Sequence, residues 1–170
     1  MDISLVAQMK PVFLQTLMDT KKSMACANAI SYEETISKTA ESDHKQVLGL
    51  ETAEEQLKVL ETIPTDSVIK DINDQVQGDN EKGQQEYANI LAAYMRQDLP
   101  SLYNQITTSA DAGEDMGPLL DERNKKWIAR MSEKMKGTSV FFAVGAGHLY
   151  GPNGVISLLR KDGYKVEAIK

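Results

Sequence analysis

His148 is the side chain best placed to do chemistry in this chain, and it sits inside a glycine-rich run, Gly145-Ala146-Gly147-His148-Leu149-Tyr150-Gly151. An imidazole changes charge near neutral pH, moves protons through either ring nitrogen and ligates divalent metals when neutral. The run follows a strongly apolar stretch, Thr138 to Val144 (TSVFFAV), and precedes a helical pattern from Pro152 to Lys161. A strand-to-helix turn is where open α/β sheets place their ligands. Gly145, Gly147 and Gly151 let the backbone turn sharply and approach a ligand or cofactor closely. The free N–H groups that open the helix at Pro152 point into the same space and favour the neutral imidazole. A turn histidine that only hydrogen-bonds its own loop fits the same local pattern, since glycine-rich turns also exist merely to turn. The glycine spacing is one residue too long for the dinucleotide fingerprint, so nucleotide binding is set aside.

A second cluster lies on the helical pattern Pro118 to Lys136. Its apolar stripe runs Leu120, Trp127, Ile128, Met131 and Met135, and Asn124 falls on that stripe, four residues from both Leu120 and Ile128. Arg123 borders the same face, from which a guanidinium can clamp a carboxylate. Two readings stay open: a catalytic Arg-Asn pair facing a cleft, or one buried hydrogen bond from Asn124 with the Arg123 stem laid over Trp127. Glu51 ends a candidate strand, Gln46 to Leu50. If that strand runs parallel to Thr138 to Val144, Glu51 emerges beside His148 as a base or ligand. Glu122 is accounted for by Lys126 four residues on, and His44 lies in a polar loop with no matching element.

Positioning these residues requires a scaffold, and the pattern for it is mostly helical. Ile3 to Met24 has apolar residues at helical spacing, interrupted by Pro11. Ser31 to Ala40 opens with a capping-box pattern, Ser31 and Glu34, and Thr52 with Glu55 repeats it at the head of the next helix. Pro64 ends that helix, and helices follow over Asp66 to Gln77, Asn80 to Arg96 and Leu99 to Ser109. Asp111 to Gly117 reads as a loop, Pro118 starts the next helix and Gly137 ends it. Thr138 to Val144, the helix from Pro152 and a final strand Tyr164 to Ile169 then form an expected right-handed βαβ unit. The fold class expected is α/β, mostly helical with a small, largely parallel sheet. Three short strands are few for a complete sheet, so it is expected to be half of a larger α/β fold, within a single domain 1–170.

Composition bounds the function. At 170 residues the chain is long enough to bury a core without staples. A net charge of −6 works against binding nucleic acid. One cysteine, Cys26, rules out an intrachain disulfide and a cysteine zinc cage. No run approaches the roughly 18 apolar residues of a membrane span, and Met1 to Pro11 lacks the pattern of a signal peptide.

The combination of Glu122 to Trp127 (ERNKKW), Gly145 to Tyr164 (GAGHLYGPNGVISLLRKDGY) and Gly49 to Gln56 (GLETAEEQ) resembles the TraB/GumN family, which includes the Tiki-like proteins. The resemblance covers roughly residues 31 to 170, and its most specific element is the G-x-x-H turn with the helix behind it. The family pattern carries two such motifs, of which Gly145 to His148 is the second, and the resemblance implies that the half bearing the first is absent here. It implies a divalent metal of unknown identity with His148 as one ligand, Arg123 and Asn124 lining the site, and a hydrolase acting on a peptide or small molecule. The chain alone is expected to be inactive, because three or more protein ligands are normally needed. The resemblance equally admits a non-catalytic binding or regulatory protein for a peptide signal or haem. It implies a periplasmic or cell-envelope location and allows a homo-oligomer that completes the sheet.

Overall fold

The computed structural model describes residues 7–23, 29–78, 81–109 and 116–169. The first residues and Met24 of the predicted helix Ile3 to Met24, Cys26, Asn80 and most of the acidic loop Asp111 to Gly117 lie outside the described residues. The chain divides into two compact units, Met1–Asp79 and Asn80–Lys170.

The first unit holds α1 (Pro11–Ser23), α2 (Tyr32–Ser42), α3 (Ala53–Leu60) and α4 (Thr65–Gln77). Pro11 does not kink a helix but opens one: at the first helical position its missing N–H has no intrahelical partner to lose. Both predicted N-caps form. Ser31 accepts from the Glu34 N–H at 3.3 Å, while the Glu34 carboxylate turns instead to Lys38. At Thr52 the box is complete, with the Thr52 hydroxyl accepting from the Glu55 N–H and the Glu55 carboxylate accepting from the Thr52 N–H, at 3.2 and 2.8 Å. Helices α1 and α4 pack together through Val68, which is buried, and through Gln15 to Asp71 and Gln75 to Asp19 hydrogen bonds. Gly78 closes α4 in the left-handed conformation.

The second unit holds α5 (Glu81–Met95), α6 (Leu99–Ser109), a wide π-turn (Gly117–Asp121), α7 (Glu122–Lys134), a 3-10 turn (Ala146–His148) and α8 (Val155–Lys161). Helix α7 organises it. Asn124, Trp127, Ile128 and Met131 follow the i, i+3, i+4, i+7 spacing of one helical face, and all four are buried. Ile128 and Met131 each contribute about 1.5–3 kcal/mol by leaving water. They meet Leu120 from the π-turn and Val155 from α8, while Ala93 and Leu102 pack α5 on α6. The predicted start of this helix at Pro118 is corrected: the first turn is wide, with the Glu122 N–H donating to the Gly117 carbonyl five residues back.

The α/β expectation is overturned. Among the described residues there is no strand, no sheet and no βαβ unit, and the architecture is helical throughout. Gln46 to Leu50, Thr138 to Val144 and Tyr164 to Ile169 carry the β-branched and alternating residues of strands. A strand, however, exists only through hydrogen bonds to a neighbouring strand, and no such ladder forms among the described residues. Phe141 is 78% and Ile169 100% exposed, while Leu50, Phe142, Val144 and Val166 are half-buried. Among the described residues no helix is long and apolar enough to cross a membrane.

Candidate functional site

The second unit gathers His148, Asn124 and Arg123 around one ring. His148 ends the 3-10 turn and is 8% exposed, its imidazole tilted against the Trp127 indole with ring centres 4.5 Å apart. Asn124, 1% exposed, faces it from α7, with its Oδ1 2.8 Å from His148 Nδ1. Arg123 is half-buried, lies over Trp127 with its Cζ 4.9 Å from the ring centre, and holds Nη1 3.4 Å from His148 Nε2 and 3.1 Å from the Leu119 carbonyl. The imidazole therefore points into the fold, beside both residues of the Arg-Asn pair.

These contacts fix the ring's protonation. The Asn124 amide donates from Nδ2 to two carbonyls, Asn153 at 2.8 Å and His148 itself at 3.3 Å. Its other atom, Oδ1, is an acceptor only, so the ring nitrogen opposite it must carry a hydrogen. His148 Nδ1 is thus the donor. Arg123 has only N–H groups to offer, so Nε2 facing it must carry a lone pair. The result is the neutral Nδ1–H tautomer, assigned from its hydrogen-bond network. Asn153 continues the network, donating from its own Nδ2 to Asp121 Oδ2 at 2.7 Å. Among the described residues no buried side-chain polar atom lacks a partner.

The glycines of the turn have local explanations. Gly151 has φ +102°, and a Cβ there would lie 2.7 Å from the Tyr103 ring. A Cβ on Gly147 would come within 3.0 Å of Ile106, whereas Gly145 has ordinary room beside the His148 ring. The turn is thus pressed onto α6, and Tyr150 meets Tyr103 edge to face at 5.9 Å. The helix behind the turn begins at Val155, not Pro152, and has seven residues.

Glu51 is not brought to His148 by the route expected of it. That route was a pair of parallel strands, which do not form, and Glu51 belongs to the first unit, just ahead of the Thr52 cap. Glu122 is exposed and pairs with Lys125 at 2.8 Å rather than with Lys126. The hydrogen bond and charge of Glu122 push the Lys125 ammonium above its ordinary range. His44 is exposed, in a left-handed conformation just past α2. Sequence reasoning missed Asn153 and Asp121. Asn153 falls inside the helix expected from Pro152, and nothing in the spacing flags Asp121.

The donor set around His148 does not fit a metal on its own. Among the described residues no group of three or more His, Cys, Asp or Glu side chains gathers to hold one. At His148 itself one ring nitrogen is bound to Asn124 and the other faces a guanidinium cation.

A family model described as TraB/PrgY/gumN family matches residues 1–168. Among curated proteins, the "Metalloprotease TIKI2" of Xenopus tropicalis is 45% identical over 47 residues, 28% of this chain and 9% of that protein. The "Metalloprotease TIKI1" of Homo sapiens is 43% identical over 47 residues, again 28% of this chain and 9% of the relative. The "Metalloprotease TIKI1" of Danio rerio is 40% identical over 47 residues, 28% of this chain and 10% of the relative. The matched stretch thus spans at most 10% of these relatives' own length. No solved structure matches the chain.

Proposed function

The chain belongs to the TraB/PrgY/gumN family, and on that premise we propose that it supplies the histidine side of a hydrolase centre acting on peptide or related acyl bonds. The observation that carries this reading is the 2.8 Å contact between His148 Nδ1 and Asn124 Oδ1 inside a buried pair. A proton-accepting histidine needs one nitrogen held and the other presented with its lone pair, and that contact holds the first. Nε2 then takes a proton from the water that attacks the carbonyl and returns it to the leaving group as the acyl bond breaks. Arg123, whose Nη1 lies 3.4 Å from Nε2, stands where it can bind a substrate carboxylate or the oxyanion formed at the attacked carbonyl. Trp127 covers one side of the ring and limits access of bulk water to it.

The relatives' name also speaks of a metal. The described residues around His148 do not complete a metal site, so a metal ligated by His148 would need acidic or histidine donors beyond them. Gly145, Gly147 and Gly151 serve this reading by holding the turn. A periplasmic or cell-envelope setting and a peptide substrate are parts of the same proposal.

The test is hydrolysis of a fluorogenic peptide library by the purified chain, with and without Zn²⁺, Mn²⁺ or Co²⁺, beside His148→Ala. The reading expects a loss of about 100-fold or more in the variant, the usual weight of a general base. Hydrolysis that ignores His148 under every metal condition sinks it. The engagement of both ring nitrogens favours one second reading, a non-catalytic protein that grips a peptide carboxylate through Arg123; saturable binding of peptide without turnover, lost in Arg123→Ala, would select it.

A further inference from the structure

The histidine–asparagine contact depends on which way the Asn124 amide faces. Turned over, the amide would bring Oδ1 against the Asn153 carbonyl and aim an N–H at the His148 Nδ1 hydrogen. The Asn153 carbonyl, accepting from Asn124 Nδ2 at 2.8 Å, is the stronger of the two acceptors that oppose that flip, the His148 carbonyl being the other at 3.3 Å. Asn153 belongs to the short segment between the 3-10 turn and α8, and no backbone hydrogen bond of its own is among those that pin the neighbouring residues. What anchors it is its side chain, donating to Asp121 Oδ2 at 2.7 Å across 32 residues of sequence. Asp121 is the last residue of the π-turn, directly ahead of the helix that carries Arg123 and Asn124. One carboxylate therefore ties the segment behind His148 to the helix in front of it.

We propose that Asp121 is a positioning residue for His148: through Asn153 it fixes the Asn124 amide, and through that amide it keeps the imidazole proton on Nδ1 and the lone pair on Nε2. The order of action is Asp121 carboxylate, Asn153 side-chain amide, Asn153 carbonyl, Asn124 amide, His148 ring. The first and last links are 2.7 and 2.8 Å, and the middle one is 2.8 Å. Arg123 supports the same tautomer from the other side by offering an N–H to Nε2. The proposal gives the proton-accepting role above its regulation, yet it concerns the resting ring and is measured without any turnover.

The measurement is the ring ¹⁵N shifts of His148 in the full chain, which distinguish the two neutral tautomers. His44, exposed and remote in sequence, is replaced by Asn so that a single imidazole remains. The parent should show the Nδ1–H form. Asp121→Ala should lower the ratio of Nδ1–H to Nε2–H about fivefold, the weight of one neutral hydrogen bond. Asp121→Asn should restore the parent ratio, because its side-chain oxygen still accepts from Asn153. If Asp121→Ala does not fold, Asn153→Ala carries the same test, since it removes the tether and keeps the carbonyl. A ratio within twofold of the parent in the folded variant, even with a lowered melting temperature, overturns the proposal and leaves Asp121 as structural support only. Failure of peptide hydrolysis with the tautomer behaving as expected would instead count against the hydrolase reading alone.

Discussion

Replacing Asn124 with Leu puts the buried polar node to a direct test, because a leucine would extend the apolar stripe of α7 between Leu120 and Ile128. If packing alone governed this position, the change would stabilise the chain by about 1.5–3 kcal/mol, the gain from burying a leucine side chain. Against that stand three lost hydrogen bonds, at 2.8, 2.8 and 3.3 Å, with the His148 ring and with the carbonyls of Asn153 and His148. Each partner left buried without a bond costs about 1–3 kcal/mol. The ring cannot escape by moving its proton to Nε2, since that nitrogen then meets an Arg123 N–H. The sum is roughly 3–9 kcal/mol of cost; the longest bond is weak and Asn153 is half-exposed, so the lower half applies and, after the packing gain, the net is a destabilisation of about 2 kcal/mol. Trp127 is the single tryptophan of the chain and stacks on His148, so its fluorescence reports unfolding of this unit. With a urea m-value of about 2 kcal/mol/M the midpoint should fall by about 1 M. An unchanged or raised midpoint would show that the polar node is not holding this unit together.

Two further outcomes follow from local geometry. Gly151→Ala should destabilise by about 3 kcal/mol, adding a clash with the Tyr103 ring to the strain of φ +102°, whereas Gly78→Ala, at φ +77° with nothing within 4 Å, should cost only about 1 kcal/mol of backbone strain; paired thermal melts compare them. The Glu61 carboxyl is held below its usual range by a hydrogen bond from Lys10 and then by that residue's charge. Because the folded value is depressed, the pair's favourable effect is present above the ordinary carboxylate range and fades as pH falls through the folded value. Carboxyl ¹³C titration should find Glu61 back in the ordinary range in Lys10→Ala, and an unmoved Glu61 would rule out the pairing.

Helices and caps were legible because their signals are local. Thr52 and Glu55 close a reciprocal box within one turn, and the stripe of α7 needs nothing beyond its own period to declare its buried face. The polar residue on that stripe, Asn124, was legible for the same reason, and so was the histidine in its glycine-rich turn. Strands are different. TSVFFAV has the composition of a strand, but pairing depends on a partner elsewhere, and composition cannot say that one is present. The route expected for Glu51 falls with that strand, since its approach to His148 was borrowed from strand register. Asn153 and Asp121 escaped notice because their roles arise from contacts across about 30 residues, between two groups that each look like ordinary turn and helix-start residues.

Arg123 is the residue that separates the chemistries open to His148. A divalent cation on Nε2 would lie about 4 Å from the guanidinium, and at an effective dielectric of about 20 their repulsion is roughly 8 kcal/mol. That is several times the weight of a single hydrogen bond. A metal can therefore sit on this nitrogen only if Arg123 swings off it or if carboxylates arrive to offset its charge. Anion binding does not meet that obstacle, and protonation of Nε2 meets half of it, roughly 4 kcal/mol, because the imidazolium carries one charge where the metal carries two. A proton accepted from water leaves a hydroxide-like charge that the guanidinium stabilises, and a substrate carboxylate draws Arg123 towards itself and uncovers the lone pair as it binds. In the arrangement found here, the cation beside the imidazole thus favours anion binding, opposes direct metal ligation most strongly, and lets Nε2 accept a proton once a bound anion has drawn Arg123 away.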